Sequence, residues 1–405
     1  MAKIFQKKKK VAVAMSGGVD SGVAAALLVK QGYEVTGFHL QLWKEKTQNA
    51  KCKIRNFEDK CCDRKGLETV RKTAWKLGIP FYVLDFERIF KRRVVDYFLK
   101  EYAAGRTPYP CVMCNKYIKF GELLDYIRKL GFDYLATGHY ARICEQIQNP
   151  IRQLADKIQN PKLKNYHLLE AKDKSKDQSY FLYNLTQRQL ACVLFPVGEY
   201  AKEQVREMAK KWGLAVAERP ESQEICFLLE SDYRPFLKRQ IPEKIVPGEV
   251  VDVKDRVIGK HFGLPLYTIG QRHGFKINPK SKIQNPKLKI IPPLYIIGKD
   301  IKKNRLIVGF GKETEKKEFW VKDVNWILPE FAICNLQSEI FVRIRHQGEL
   351  LKAKLKVKSQ KLKVILKDPY RGIAPGQAAV FYKKITNYEL RITDYEVLGG
   401  GIINY

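Results

Sequence analysis

No stretch of this chain approaches the roughly 20 uninterrupted apolar residues of a membrane-spanning helix. The one apolar run behind a basic start, Val11 to Met15, is broken by Gly17-Gly18 and Asp20 where a signal peptide would continue. These absences predict a cytoplasmic protein without a membrane partner. A disulfide framework is missing as well: nine cysteines are an odd number, scattered along the chain, and fit reduced thiols. Neither GxxxxGK[ST] nor GxGxxG occurs, which argues against a γ-phosphate-transfer loop and a dinucleotide fold. Acidic residues are few, 43 against 75 Lys and Arg, and the resulting formal charge of +32 favours a polyanionic partner, foremost nucleic acid. The plainer reading of that charge is a Lys-rich surface, with Lys7 to Lys10 a solvated tail.

With 405 residues the chain exceeds what one core fills, about 250 to 300 residues, so two or three domains are expected. From Val11 to about Tyr140 apolar strand runs alternate with amphipathic helices, the pattern of a parallel sheet with crossover helices. Val11–Met15, Tyr33–Leu40, Phe81–Asp85 and Asp133–Thr137 read as strands. Gly22–Lys30, Leu67–Leu77 and Phe120–Leu130 read as helices, each followed by a glycine that stops it. The character changes near Arg219-Pro220, and from Pro247 short β-rich runs take over. Phe341–Arg345, Leu351–Val357 and Leu362–Leu366 alternate strongly and predict a small barrel. The expected division is 1–216, an α/β doubly wound ATP-binding domain; 217–292, a central β-rich domain; and 293–405, a C-terminal β-barrel. IQNPKLK occurs at Ile158–Lys164 and Ile283–Lys289, with an echo at Ile147–Pro150; with Asn387–Glu396 these segments read as inserted surface loops.

Between the first strand and its helix stands Ser16-Gly17-Gly18-Val19-Asp20-Ser21. Two glycines let backbone N–H groups approach a diphosphate at a helix N-terminus. The hydroxyls of Ser16 and Ser21 suit phosphate oxygens, and Asp20 suits a magnesium ion that neutralises a leaving diphosphate. The loop resembles that of the PP-loop ATP pyrophosphatases, which cleave ATP between the α and β phosphates; an ordinary glycine-rich turn is the plain alternative.

Cys111-Val-Met-Cys114 precedes a helix, where the positive helix end lowers a thiol pKa below about 8.5. Cys226 lies just past the apparent domain boundary, placed to supply a second thiol. By spacing alone, catalytic thiols, a redox CxxC and a zinc or iron–sulfur site on Cys111, Cys114 and Cys226 all stay open. Cys52, Cys61 and Cys62 have poor zinc spacing, and Cys144, Cys192 and Cys334 lack partner ligands.

The chain resembles the tRNA-specific 2-thiouridylases nearly end to end. The resemblance is carried by AMSGGVDS at Ala14–Ser21, GRTPYPCVMCNKYIKF at Gly105–Phe120, ATGHY at Ala136–Tyr140, KDQSYFLY at Lys176–Tyr183, LFPVGEY at Leu194–Tyr200 and SQEICF at Ser222–Phe227. GKHFGLPLYTIGQRHG at Gly259–Gly274, APGQAAVFY at Ala374–Tyr382 and LGGGII at Leu398–Ile403 extend it. The resemblance implies ATP-dependent sulfur insertion at C2 of the wobble uridine in tRNAs for Lys, Glu and Gln, fed by a sulfur-relay or cysteine desulfurase protein. It implies that Cys226 carries a persulfide and Cys114 is the nucleophile, closing a transient disulfide. It places ATP on Ala14, Met15, Ser16, Gly17, Gly18, Val19, Asp20, Ser21, Leu40 and Gly138, with Mg2+. It places the flipped base at Tyr109, Pro110 and Cys111, and tRNA at His139, Lys176, Asp177, Gln178, Arg345, His346 and Gln377.

Three positions depart from the family pattern: Cys111 stands where many members carry Asp, Tyr109 replaces Asn and Leu40 replaces Met. A third thiol keeps an iron–sulfur cluster as a minority alternative, no dedicated metal site being favoured. The repeat-like insertions after Cys144, Asn278 and Lys384 have no family counterpart and are expected to be disordered or to extend loops. Two other classes compete: a PP-loop amidotransferase or synthetase, against which the cysteine placement argues, and a non-catalytic RNA-binding protein, against which the intact Ser16, Asp20 and Ser21 argue.

Overall fold

A computed structural model describes residues 8–45, 64–145, 165–221, 225–278, 293–328, 339–358, 361–387 and 392–404. Both IQNPKLK copies and their echo, the insertions after Cys144 and Asn278, and Cys52, Cys61, Cys62 and Cys334 lie outside these residues.

The first region is built on a parallel sheet. Its centre is β1 (Lys10–Ala14), whose apolar KVAVA run is covered on both faces, as a strand with helices on either side must be. Around it lie β2 (Glu34–Gln41), β3 (Phe81–Asp85) and β4 (Tyr134–Thr137). After the hairpin β5 (Ala141–Cys144) and β6 (His167–Glu170), which leaves this sheet, comes β7 (Val193–Leu194). The order is β3-β2-β1-β4-β7 with all pairs parallel, so the chain reverses direction of travel between β1 and β4. Ligands of open α/β sheets sit beyond the strand carboxyl ends at such a switch point. Helix α1 (Val19–Lys30) buries its Val, Ala and Leu side chains against the sheet, and α2 (Arg64–Lys76) follows before β3. The expected doubly wound architecture is present.

A second sheet is formed by β8 (Gly248–Val251), β9 (Val257–His261), β10 (Lys276–Ile277), β11 (Tyr295–Asp300) and β12 (Arg305–Gly309), in the order β10-β9-β8-β12-β11. Strands β11 and β12 therefore belong to the middle module, and the division expected at 292/293 does not coincide with the sheet boundary. Periodicity marks the stretch as β-rich but does not give the partners its strands choose.

The third sheet holds β13 (Glu315–Trp326), β14 (Ile340–Arg343), β15 (Leu351–Lys358), β16 (Lys361–Arg371), β17 (Ala378–Asn387) and β18 (Ile392–Asn404). The pairing β13–β18 closes these six strands into a barrel. Its sequence signal is plain in β16, where Leu362, Val364 and Leu366 are buried while Lys361 is exposed. The reading of Asn387–Glu396 as an inserted loop is corrected here: Ile392–Glu396 is the start of β18, paired with β17, and Glu396 is fully buried.

Hairpin β5–β6 docks on β18 through Leu168 and Leu169, joining the first region to the barrel. His167 Nδ1 lies 2.7 Å from Glu396 Oε1 with both side chains buried, and Arg142 pairs with Asp394 at 2.7 Å. From the barrel, Arg343 reaches Glu170 at 2.9 Å and Asp177 at 3.1 Å. Breaking a buried pair by removing one partner costs on the order of 3 to 5 kcal/mol when a charge is left uncompensated, so the seam depends on these pairings.

Candidate active site

Gly17 adopts φ +92°, the left-handed conformation that suits glycine, and Gly18 is the extended N-cap of α1 without a side-chain capping bond. The first N–H groups of α1 therefore face the mouth of the loop. Ser21 Oγ accepts from Ser16 N–H at 3.2 Å and donates to the Gly18 carbonyl at 3.1 Å, which sets the curvature of the loop. Ala14 ends β1; Met15, Gly17, Val19 and Ser21 are buried, whereas Ser16 is exposed and Gly18 and Asp20 are half-buried.

Two neighbouring strands complete this end of the sheet. His39 Nδ1 donates to the Met15 carbonyl at 2.9 Å, and burial holds the imidazole pKa below its ordinary value, so the ring is neutral. Leu40, next along β2, is half-buried opposite Leu84. At the end of β4, a Cβ on Gly138 would stand 2.6 Å from Ser21 N and 2.7 Å from the Asp20 carbonyl carbon. Glycine there lets β4 touch the first turn of α1.

Asp20 is the electrostatic centre. Lys202 Nζ, on the helix Lys202–Lys211, donates to both its oxygens at 2.6 and 2.8 Å, and the Tyr140 hydroxyl donates at 2.7 Å. Lys202 is only 3% exposed, and Glu221 lies 3.6 Å from the same ammonium while pairing with Lys176 at 2.9 Å. Sequence reasoning passed over Lys202, Glu221 and the role of Tyr140. Tyr140 ends the ATGHY motif and Lys202 stands two residues beyond LFPVGEY, so the signal was adjacent but carried no spacing rule.

The thiol helix starts ten residues earlier than expected. A continuous helical run begins at Pro110, with extended Tyr109 as N-cap, widens to π-helical geometry over Cys114–Leu123 and ends as Leu124–Lys129. Proline at the first position fixes φ for helix entry and removes an N–H that would have no partner. Cys111 and Cys114 therefore ride the first turns rather than the loop before them. The low thiol pKa expected from the helix end does not hold for Cys111: burial pushes it up to about 11, with Cys114 adding to the rise, so desolvation outweighs the dipole. Cys114 is buried and Cys226 is half-buried. Among the described residues no three His, Cys, Asp or Glu side chains converge on a metal-holding position.

His139 links the two halves. Lys119 Nζ, from the thiol helix, donates to its Nε2 at 3.4 Å, and Nδ1 lies 2.7 Å from Thr137 Oγ1. An ammonium has no acceptor, so Nε2 keeps its lone pair; burial likewise holds the ring far below its ordinary pKa. The ring packs between Phe120 and Phe195.

The residues expected on RNA divide. His139 and Asp177 are buried. Asp177 accepts from Ala171 N–H, from Ser179 and from Arg343. Gln178 Oε1 accepts from Tyr140 N–H at 3.0 Å, and Gln377 Nε2 donates to the Thr107 carbonyl at 2.9 Å. Lys176 is paired with Glu221, His346 is half-buried, and Arg345 is exposed. Motif positions marked these residues without separating contact from support. Arg345 and Gln377 border a cavity of about 630 Å³ between the middle module and the barrel, lined also by Thr268, Tyr295, Tyr370 and Arg371. Thr107, two residues before Tyr109, is held there by Pro375 O at 2.8 Å and by Thr268 at 3.2 Å.

Three family models match in succession. Residues 9–230 match the tRNA methyl transferase HUP domain, 234–310 the tRNA methyl transferase PRC-barrel domain and 316–403 the aminomethyltransferase beta-barrel domain. Among curated proteins, the tRNA-specific 2-thiouridylase MnmA of Carboxydothermus hydrogenoformans is 42% identical over 400 residues, covering 98% of both chains. That of Symbiobacterium thermophilum is 42% identical over 397 residues, 98% of this chain and 92% of the relative. That of Acetivibrio thermocellus is 39% identical over 399 residues, 98% of this chain and 99% of the relative.

Proposed function

Because this chain belongs to the tRNA-specific 2-thiouridylase family, we propose that the loop Ser16–Ser21 and the thiols Cys114 and Cys226 form one active site that replaces the C2 oxygen of the wobble uridine by sulfur. The enzyme is an ATP-using sulfurtransferase that thiolates tRNA. The observation that carries the site assignment is the bridge at β4: Gly138 rests on the loop while His139 touches Lys119 and Phe120 of the helix that bears Cys114. The nucleotide end and the thiol end therefore share a wall.

In this reading ATP lies across the loop, with Ala14, Met15, Leu40 and Gly138 toward the nucleoside and the α1 N–H groups toward the phosphates. The C2 oxygen of the flipped uridine attacks the α-phosphorus and diphosphate leaves, which turns a poor leaving group into AMP. Cys226 carries a persulfide loaded by a sulfur-donor protein. The Cys114 thiolate attacks the cysteinyl sulfur of that persulfide, forming the Cys114–Cys226 disulfide and releasing hydrosulfide. Hydrosulfide adds at C2, AMP departs, and an external thiol reduces the disulfide. Tyr109, Pro110 and Cys111 border the base; protonated at neutral pH, Cys111 is no general base there.

A magnesium ion fits if one protein carboxylate suffices, because such ions are commonly held by one or two carboxylates and substrate phosphates. Asp20 is that carboxylate, 27% exposed at its side chain despite Lys202. The ion would neutralise the leaving diphosphate. An iron–sulfur cluster on Cys111, Cys114 and Cys226 is the lesser alternative, and iron and sulfide analysis after anaerobic purification decides it.

Tyr109 and the exposed Arg345 face tRNAs for Lys, Glu and Gln in this assignment. Among the described residues no helix is long and apolar enough to cross a membrane. Cys114→Ser and Cys226→Ser should each bind tRNA and yield no 2-thiouridine when nucleosides are analysed by mass spectrometry after incubation with ATP and a persulfide donor. Normal thiolation by either variant defeats the assignment.

A further inference from the structure

Beside the thiol helix, three segments remote in sequence bring aromatic rings into a row. Tyr109 and Phe181 have ring centroids 5.0 Å apart, tilted by 39°, and Phe181 and His346 are 4.4 Å apart, tilted by 40°. Tyr180 backs the row, 6.3 Å from Tyr109 and 6.1 Å from His346. Tyr180 and Phe181 are buried, whereas Tyr109 and His346 are half-buried, so the two ends are what a ligand can reach. The row is fixed from behind: Asn115, next to Cys114, donates to the Phe181 carbonyl at 3.2 Å, and the Tyr180 hydroxyl donates to the Ala378 carbonyl at 2.9 Å.

Two adjacent residues at one end differ in kind. Arg345 is exposed, its guanidinium 5.9 Å over the Tyr370 ring and Nη2 3.2 Å from the Tyr370 hydroxyl, and it lines the large cavity. It is always charged and free to meet a phosphate. His346 is the opposite case. Burial lowers its pKa, Arg343 lowers it further and Asp177 opposes them, leaving a neutral ring at physiological pH. Its Nδ1 is buried without a hydrogen-bond partner among the described residues. A proton there would create an orphaned N–H, so the ring proton belongs on Nε2. Such a ring offers an aromatic face and one neutral donor, and it cannot neutralise a phosphate.

We propose that His346 meets the RNA as an uncharged ring stacked on a nucleobase, in a row with Tyr109 and Phe181, while Arg345 beside it takes a backbone phosphate. The inference rests on tRNA being the substrate and adds which chemistry each residue reads. Single-stranded loops are commonly held this way, with splayed bases on aromatic side chains and the backbone on basic ones.

Binding of an anticodon stem–loop RNA, followed by fluorescence anisotropy across a salt series, tests it. Arg345→Ala should flatten the slope of log K against log salt by about one. His346→Ala should weaken binding on the order of tenfold at unchanged slope. His346→Phe, which keeps the ring, should retain most of the affinity and serves if the alanine variant does not fold. With RNAs abasic at single loop positions, the His346→Ala loss should vanish at one position, because the stacked base is already gone. A slope flattened in His346→Ala, a phenylalanine variant as weak as alanine, or losses that add at every position would overturn the proposal. If the unaltered protein binds no tRNA, the substrate reading falls as well.

Discussion

The proposed nucleotide loop takes six consecutive residues, Ser16 to Ser21, from one strand-to-helix junction, whereas the wall beside Cys114 assembles Tyr109, Phe181 and His346 from distant parts of the chain. The first needs only local backbone geometry: a positive φ at Gly17, an uncapped helix start and a strand end. The second needs the barrel to be seated on hairpin β5–β6 and the Thr107 segment to be clamped between two modules. One end should therefore fail through single atoms nearby, and the other through contacts far from the chemistry.

The largest expected effect separates them at the loop. Gly138→Ala sets a Cβ 2.6 Å from Ser21 N, and backbone cannot yield there as a flexible side chain would. Displacement of a catalytic group by an ångström commonly costs about 100-fold. ATP-dependent 2-thiouridine formation should fall by that order while stem–loop RNA affinity stays within about twofold. Equal loss of RNA affinity would mean that the two ends are not separable.

The converse test lies at the interface. Glu396→Leu removes the partner of buried His167 at the seam of hairpin and barrel, and leaving a buried polar group unsatisfied costs about 1 to 3 kcal/mol. Thermal unfolding should show the barrel destabilised by that amount, with RNA affinity reduced and ATP binding retained. Loss of ATP binding in this variant would show that the seam supports both ends.

A pH series sharpens the contrast within the thiol end. Cys111 has its folded pKa raised from 9.0 to about 11, so the folded state holds the proton more tightly than the unfolded chain does. The contribution is complete below pH 9 and is lost as pH rises toward 11, amounting to at most about 3 kcal/mol. Unfolding followed between pH 8 and 11 should lose stability over that window, and Cys111→Ser should lose less. Rapid alkylation of Cys111 at pH 7.5 would contradict a half-buried thiol held protonated.

How much was legible follows the same division. The SGGVDS loop could be read because glycines, hydroxyls and a carboxylate act within one turn of their own backbone. The barrel could be read because Leu362, Val364 and Leu366 alternate with lysines, and a period of two needs no knowledge of partners. Lys202 could not: a lysine on an amphipathic helix reads as solvated, and only the fold sets it 2.6 Å from Asp20. Phe181 reads as core, which it is, and its place between Tyr109 and His346 depends on the seating of the barrel. The thiol helix was started late because the turn residues Thr107 to Pro110 suggest a loop, although Pro110 is a good first helical residue. Strand partners were equally hidden, and periodicity could not show that β11 and β12 pair in the middle sheet.

The smallest expected effect concerns Gln377, which sequence resemblance placed on tRNA and which in the fold donates to the Thr107 carbonyl at 2.9 Å. Thr107 is also held by its own N–H on the Pro375 carbonyl and by its hydroxyl on Thr268, so losing one of three bonds should shift the Tyr109 segment only slightly. A neutral hydrogen bond contributes about 1 kcal/mol, which corresponds to a fewfold rise in KM for tRNA in Gln377→Ala. Because an amide carries no charge, the salt slope of RNA binding should not change. If Gln377 touches RNA directly, Gln377→Glu should weaken binding far more than Gln377→Ala, through repulsion of the nearest phosphate, and the gap between the two should shrink at high salt. Equal, salt-independent losses would assign Gln377 to holding the Thr107 segment, and a large salt-dependent gap would return it to the RNA surface.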